Sequence, residues 1–309
     1  MAKKYARPFL WAIAFLLLYY AIQMIVMLAL TFTVGGVGSD ALNAALSAGE
    51  GGFDPAAFSA GTAEKTAEFM SKNSGIMLSI SALISLLIFS AIYSSRKLPF
   101  FSATRLDARP LLPDAIFGAC AGFSSYAIIM LALSLIAASG AFASQLQDYE
   151  AQMAFAVPNG NLALSILGIG IITPIVEEIM FRGMITRELE TIMSPKLAIV
   201  VQGAVFGLYH VQPIQILYAI PLGIYFGFCA YKSRSLWPAV AGHIAMNTLS
   251  LVLSASAAGS GAEAPDALLL FMGVSIIMFV FTLAYFIRRA DPAGGGGGGG
   301  GEKRGRWGE

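Results

Sequence analysis

The stretch that decides the fold class reads LALSILGIGIITPIVEEIMFRGMI and covers residues 162–185. It exceeds the roughly 18 apolar residues that mark a membrane-spanning helix, and its only charged residues are Glu177, Glu178 and Arg182. The rest of the 309-residue chain is similar, since 57% of all residues are hydrophobic and only 12% are charged. Soluble domains carry about 25% charged residues. The sequence therefore predicts an all-α, polytopic integral membrane helical bundle.

Further apolar runs predict about eight transmembrane helices, which form one domain over residues 1–291. The expected helices are Phe9–Val34, Gly75–Ser95, Leu112–Ser139, Leu162–Ile185, Leu197–Gln212, Ile214–Tyr231, Leu236–Leu253 and Ala267–Ile287. Residues 292–309 contain an uninterrupted glycine run, which is typical of a flexible tether. We expect this tail to lie in the cytoplasm and to have no fold of its own.

The charges of the loops predict the orientation of the helices, because short cytoplasmic loops retain lysine and arginine. Every second loop is basic, and the alternate loops are mainly acidic. The basic residues are Lys3, Lys4, Arg7, Arg96, Lys97, Arg105, Arg109, Arg187, Lys196, Lys232, Arg234, Arg288 and Arg289. We therefore expect both termini in the cytoplasm, and the short loops favour a bacterial plasma membrane. The formal net charge of +1 gives no indication of a nucleic-acid partner.

Few ionisable side chains lie within the predicted helices, where each costs at least about 2.5–3.5 kcal/mol. Besides Glu177, Glu178 and Arg182, the central ones are His210 and His243, which are the two histidines of the chain. Each of these groups requires a partner or a chemical function.

Helical spacing separates the two glutamates. Glu178 and Arg182 are four residues apart with the acid first, which is the favoured arrangement for an intrahelical ion pair. Glu177 points about 100° away from Glu178 along the helix. We therefore predict that Glu177 is the reactive carboxylate and that Glu178 and Arg182 have a supporting, electrostatic role.

Two other predicted helices carry polar pairs at the same spacing of four residues. Phe206 shares a face with His210, and His243 shares a face with Asn247. Three helices could thus converge on one polar pocket, with Phe206 as a supporting residue. At about 1.5 Å per residue the depths of His210 and Glu177 differ by roughly 7 Å, so we expect the helix that carries His210 to be tilted or to begin in the cytosol.

The contents of this pocket indicate hydrolysis. A carboxylate and a histidine can deprotonate a water, while a second histidine and an asparagine can bind the oxyanion that forms at an amide carbonyl. Alternatively, Glu177, His210 and His243 form a zinc-ligand set with an open coordination position. The residues alone leave both possibilities open. No serine or cysteine stands in a nucleophile motif beside the histidines, which disfavours covalent acyl catalysis.

Three short motifs follow one another along residues 166–251: Glu-Glu-x-x-x-Arg at 177–182, Phe-x-x-x-His at 206–210 and His-x-x-x-Asn at 243–247. With these motifs the chain resembles the CAAX protease and bacteriocin-processing family (CPBP, also called ABI) of intramembrane proteases. The resemblance implies that Glu177 activates water together with His210, and that His243 and Asn247 bind the oxyanion. It leaves metal use open, because members are labelled metalloproteases while a metal-free glutamate mechanism has also been argued.

We therefore expect an endopeptidase that cuts a peptide or protein substrate near the cytoplasmic half of the bilayer. The resemblance implies either processing of prenylated proteins, as in eukaryotes, or maturation of peptides and other targets in bacteria. Two other classes stay open. One is a catalytically inactive family member that acts as a membrane scaffold or immunity-type protein, and the other is a transporter that couples protons through Glu177 and the histidines.

Overall fold

The computed structural model describes residues 2–48, 54–108, 111–156, 161–257 and 265–290. Over these residues the chain is helical and contains no β-strand. The helices are α1 (Ala2–Thr33), α2 (Val37–Ala48), α3 (Pro55–Ser95), α4 (Phe100–Ala103), α5 (Leu112–Ser139), α6 (Ala143–Ala156), α7 (Leu162–Glu190), α8 (Pro195–Tyr209), α9 (Pro213–Ser233), α10 (Trp237–Ala257) and α11 (Pro265–Arg288). The predicted tail lies outside the described residues.

The helices confirm the predicted all-α membrane bundle. Seven of those described are long and apolar enough to cross a bilayer, namely α1, α3, α5, α7, α9, α10 and α11. The remaining predicted span, Leu197–Gln212, corresponds to α8, which is apolar but only 15 residues long. The chain is therefore an integral, multi-pass membrane protein.

Helical structure also extends into segments where the hydropathy of the sequence predicts no span. Helix α3 begins at Pro55 instead of Gly75, because the Asp54 side chain accepts hydrogen bonds from the backbone N–H groups of Ala56 and Ala57. An aspartate followed by proline is a strong helix start. Helices α2 and α6 likewise occupy predicted loops. Hydropathy detects spans and misses such polar helices.

Helix α7 forms the centre of the bundle, and it contains two wide π-helical segments, Ile166–Ile172 and Ile179–Ile185. The first segment ends where Pro174 lacks a backbone N–H, and the Thr173 N–H bonds to the carbonyl of Gly168, five residues earlier. Such widened turns are frequent at functional sites. They set the direction in which the following glutamates point.

Glycines allow α5 and α10 to pack with their backbones in contact. A Cβ atom added at Gly118 would overlap backbone atoms of Pro238, and one added at Gly122 would overlap the backbone of Gly242. Small residues at a spacing of four permit this close approach in membranes. The contact fixes α10, and with it the motif that starts at His243, against the rest of the bundle.

The ends of the helices that carry basic loops meet at one end of the bundle, which we call the basic end. Arg96 follows α3 and pairs with Glu188 of α7 at 2.6 Å, while its guanidinium lies 4.3 Å from the ring centroid of Trp11 in α1. Arg105 pairs with Glu190 at 2.8 Å. Helices α1, α3 and α7 are thus joined at this end.

The same end includes the remaining basic loops that the structure describes. Arg289 after α11 pairs with Asp114 of α5 at 2.7 Å, and the Lys232 ammonium of α9 donates to the carbonyl of Arg289 at 2.7 Å. The indole N–H of Trp237, the first residue of α10, donates to the carbonyl of Leu106 at 3.0 Å. The alternation of basic loops in the sequence is therefore a physical segregation of charge to one end of the structure.

Replacing Gly122 by alanine is expected to destabilise the bundle by about 1–3 kcal/mol, because the added methyl group must displace the backbone of Gly242. Thermal unfolding of the detergent-solubilised protein measures the change. Gly273→Ala is the matched control, since an added Cβ there meets no atom within 4 Å. An equal melting temperature for the two variants would contradict the close contact between α5 and α10.

Candidate active site

One cavity of about 890 Å³ collects the residues that the sequence predicts for the chemistry. Its walls include Glu177, Phe206, His210, His243 and Asn247. Three separate helices, α7, α8 and α10, supply them. Short α8 thus brings His210 to the same space as Glu177 despite the difference in depth expected from the sequence.

The two supporting residues are buried beside this cavity. The side chains of Glu178 and Arg182 are 0% and 1% exposed, and Glu178 Oε1 lies 2.8 Å from Arg182 Nη1. The guanidinium also lies 4.2 Å from the ring centroid of Phe206, and its Nη2 donates to the carbonyl of Gly223 at 3.4 Å. Arg182 therefore neutralises Glu178 and ties α7 to α8 and α9.

His243 lies between the two neighbouring glutamates of α7. Its Nδ1 is 2.8 Å from Glu178 Oε1, and its Nε2 is 3.8 Å from Glu177 Oε2. An ionised carboxylate only accepts hydrogen bonds, so Nδ1–H is the donor to Glu178. This contact fixes the orientation of the ring and turns Nε2 towards Glu177.

His210 directly follows the last residue of α8 and is half-buried. Its Nδ1–H donates to the carbonyl of Phe206 at 2.8 Å, which leaves Nε2 available to the cavity. The next residue, Val211, has a positive φ of 64°, a strained conformation for a β-branched residue. The Gln212 side chain then accepts from the Gln215 N–H at 2.8 Å and starts α9. His210 is thus held at a tight, strained turn between two helices.

Asn247 has a structural partner that sequence reasoning did not reveal. Its side-chain Nδ2 donates to the carbonyl of Ile169 at 3.1 Å. That carbonyl lies five residues before Pro174, which has no N–H to offer, and the N–H of Thr173 is bonded to Gly168 instead. The asparagine therefore satisfies a carbonyl that the proline leaves without a helical donor.

Helix α1 adds residues to the cavity that the motifs do not include. Tyr209 lines the cavity beside His210, and its hydroxyl donates to Gln23 Oε1 of α1 at 2.8 Å. A glutamine within an apolar span is costly without a partner. Gln23 was therefore a signal in the sequence that could have revealed this contribution of α1.

Helix α6 closes part of the cavity at the other side. The Tyr149 hydroxyl lies 3.3 Å from the Tyr218 hydroxyl of α9, and the Gln212 side chain donates to the carbonyl of Gln145 at 3.2 Å. Burial raises the pKa of the Tyr149 hydroxyl above its ordinary value, so this residue stays neutral at physiological pH. Helix α6 is thus attached directly to the turn that follows His210.

The comparison with protein families agrees with the motifs. Residues 159–249 match the family model described as Type II CAAX prenyl endopeptidase Rce1-like. This segment is a CAAX-endopeptidase-like domain. It contains Glu177, His210 and His243 and ends two residues after Asn247. Searches of curated proteins and of solved structures gave no match.

The arrangement of ligands in this CAAX-endopeptidase-like domain was compared with the zinc alternative. Among the described residues, no group of three or more His, Cys, Asp or Glu side chains lies close enough together to hold a metal ion. Glu177 and His243 approach each other to 3.8 Å, but His210 does not complete a set with them. The side chains as placed do not fit a three-ligand zinc site.

In this domain, replacing Glu178 by glutamine is expected to destabilise the protein by about 3–5 kcal/mol, because a buried Arg182 loses its counter-charge. Thermal unfolding in detergent measures the loss. Glu68→Gln is the matched control, since Glu68 and Lys72 form an ion pair at the same spacing with side chains about half exposed. A melting temperature as insensitive to Glu178→Gln as to Glu68→Gln would contradict the role of this buried pair.

Proposed function

We propose that this protein hydrolyses a peptide bond within the membrane, using a water that Glu177 activates. At family level the match to CAAX endopeptidases indicates an intramembrane endopeptidase. The observation that carries the mechanism is the common cavity, because Glu177, His210 and His243 all face one space inside a bundle of spanning helices. A carboxylate and two imidazoles have no need to meet in an apolar medium unless they perform chemistry.

In the proposed reaction Glu177 accepts a proton from the water, and the oxygen forms a bond to the carbonyl carbon of the substrate. His210 presents Nε2 to the same space because its Nδ1–H is bonded to Phe206, so it accepts a hydrogen bond from the water and orients it. The protonated Glu177 then gives its proton to the leaving nitrogen as the carbon–nitrogen bond breaks. Water supplies every atom that the two products gain.

His243 and Asn247 serve the oxyanion in this proposal. A histidine whose Nδ1–H is bonded to Glu178 donates to an oxyanion only when Nε2 also carries a proton. Glu178 and Glu177 both lie beside the ring and complement the charge of such an imidazolium. Asn247 uses one N–H for Ile169 and retains a second for the substrate. One oxyanion donor is typically worth about 2.7–4 kcal/mol of transition-state stabilisation.

Glu177→Gln is expected to abolish cleavage of a fluorogenic peptide by purified, reconstituted protein, because an amide cannot accept the proton from water. The fold should be retained, since glutamine occupies the same volume. Glu64→Gln, at an exposed position of α3, is the matched control and should keep full activity.

Hydrolysis retained in Glu177→Gln would refute the assignment of this residue. The same assay separates the other classes. An inactive scaffold gives no turnover in any variant, and a transporter gives uptake driven by a pH gradient into proteoliposomes without peptide cleavage.

We further propose that the water is activated without a metal ion, since His210 does not form a ligand set with Glu177 and His243. Cleavage should then persist in a chelator that removes zinc, and purified active protein should contain far less than one zinc per chain by elemental analysis. Loss of activity in the chelator, with recovery on adding zinc alone, would favour the ligand set of Glu177, His210 and His243 instead.

A further inference from the structure

The cavity at Glu177 extends towards only one end of the bundle. On α10 its wall runs from His243 through Asn247 to Ser254, away from Trp237 at the basic end. On α7 it runs from Glu177 back to Ile169, again away from the basic end. Both helices place the deepest part of the cavity at the ionisable groups and its continuation at the opposite end.

The neighbouring helices show the same direction. On α5, which starts at the basic end, the wall runs from Tyr126 to Ala137 near the last turn. On α9, which ends at the basic end, it runs from Leu222 back to Gln215. Ala137 is exposed. The cavity therefore opens at the end where α5 stops and α9 begins.

Towards the basic end the bundle is closed. The next eight residues of α7, Glu178 to Ile185, are all buried, and the side chains of Met180, Phe181, Met184 and Ile185 are 0% exposed. Beyond them lie the ion pairs that join the ends of α3 and α7. A polypeptide approaching from this end would have to displace the tightest part of the core.

Helix α6 lies at the open end and is polar on the surface of the cavity mouth. Glu150 and Gln152 line the cavity and are exposed, whereas Leu146, Tyr149 and Met153 of the same helix face inward. The open end therefore combines a wet rim with an apolar interior. An apolar side chain of a peptide can leave water there and move towards Glu177.

We infer that the substrate is an apolar segment of a translocated polypeptide and that it reaches Glu177 from the extracytoplasmic side. Lysine and arginine are retained on the cytoplasmic side, so the closed basic end faces the cytoplasm and the cavity faces the opposite side. The inference rests on the proposed function for its substrate and on the cavity for its direction. It differs from the cytoplasmic-half cleavage expected from the sequence.

The apolar wall supports this class of substrate. Tyr126, Ile129, Leu133, Leu146 and Met246 line the way between the mouth and the ionisable groups. Burying an apolar side chain against such a surface contributes about 25 cal/mol per Å². A charged side chain in the same position would lack a partner along most of this path.

Labelling of single cysteines in intact cells tests the direction. Cys120 is replaced by alanine, while Cys229 is kept because its side chain is 0% exposed. Into this background go Ser254→Cys at the mouth, Thr173→Cys one turn from Glu177, and Ser95→Cys at the basic end, and a charged, membrane-impermeant thiol reagent is applied. Thr173 and Ser254 both line the cavity, whereas Ser95 is exposed at the end of α3.

Thr173→Cys and Ser254→Cys should be labelled in intact cells, and Ser95→Cys only after the cells are permeabilised. Labelling of Thr173→Cys only after permeabilisation, or in neither condition, would overturn the inference, as would labelling of Ser95→Cys in intact cells. Gel filtration of each variant in detergent verifies its fold, and for a misfolded variant Ala137→Cys or Asn247→Cys in the same wall replaces it.

The labelling pattern does not depend on turnover, so it should be the same with and without Glu177→Gln. Absence of peptidase activity together with the expected pattern would count against the proposed function alone. Activity together with the opposite pattern would count against the extracytoplasmic route alone.

Discussion

The buried carboxylate of Glu178 is the interaction on which the rest of the structure depends. It contacts the guanidinium of Arg182 on its own helix and the imidazole of His243 on α10, both at 2.8 Å. Its side chain is fully buried, so this charge has no access to solvent and relies on these partners. One residue thereby neutralises a cation, joins two helices and directs the free nitrogen of His243 towards Glu177.

The sequence predicts the spans and the three motifs because both signals are local. Membrane insertion is costly for ionisable groups, so Glu177, His210 and His243 stand out from apolar surroundings without any knowledge of tertiary contacts. Spacing of four residues correctly predicts the ion pair of Glu178 and Arg182, since helical geometry alone determines it. The fold class and the common cavity follow from these two kinds of information.

Other features depend on contacts between distant segments, which local patterns do not encode. The hydrogen bond of Tyr209 to Gln23 of α1 spans most of the chain, and polar α6 has no hydropathy signal. Asn247 illustrates the difference well. Its amide suggests a role at the oxyanion, but its bond to Ile169 arises from the missing N–H of Pro174 two helices away in the fold.

The wide turn at Ile166–Ile172 has a consequence for how this chain tolerates change in length. A π-helical turn is equivalent to one additional residue inserted into a regular helix. Deleting a single residue there would restore regular geometry and rotate everything before it by about 100° relative to Glu177. The N-terminal half of α7, with Ile169 and Gly168, would then present the wrong side to α10 and α3. Length in this segment is therefore as constrained as residue identity.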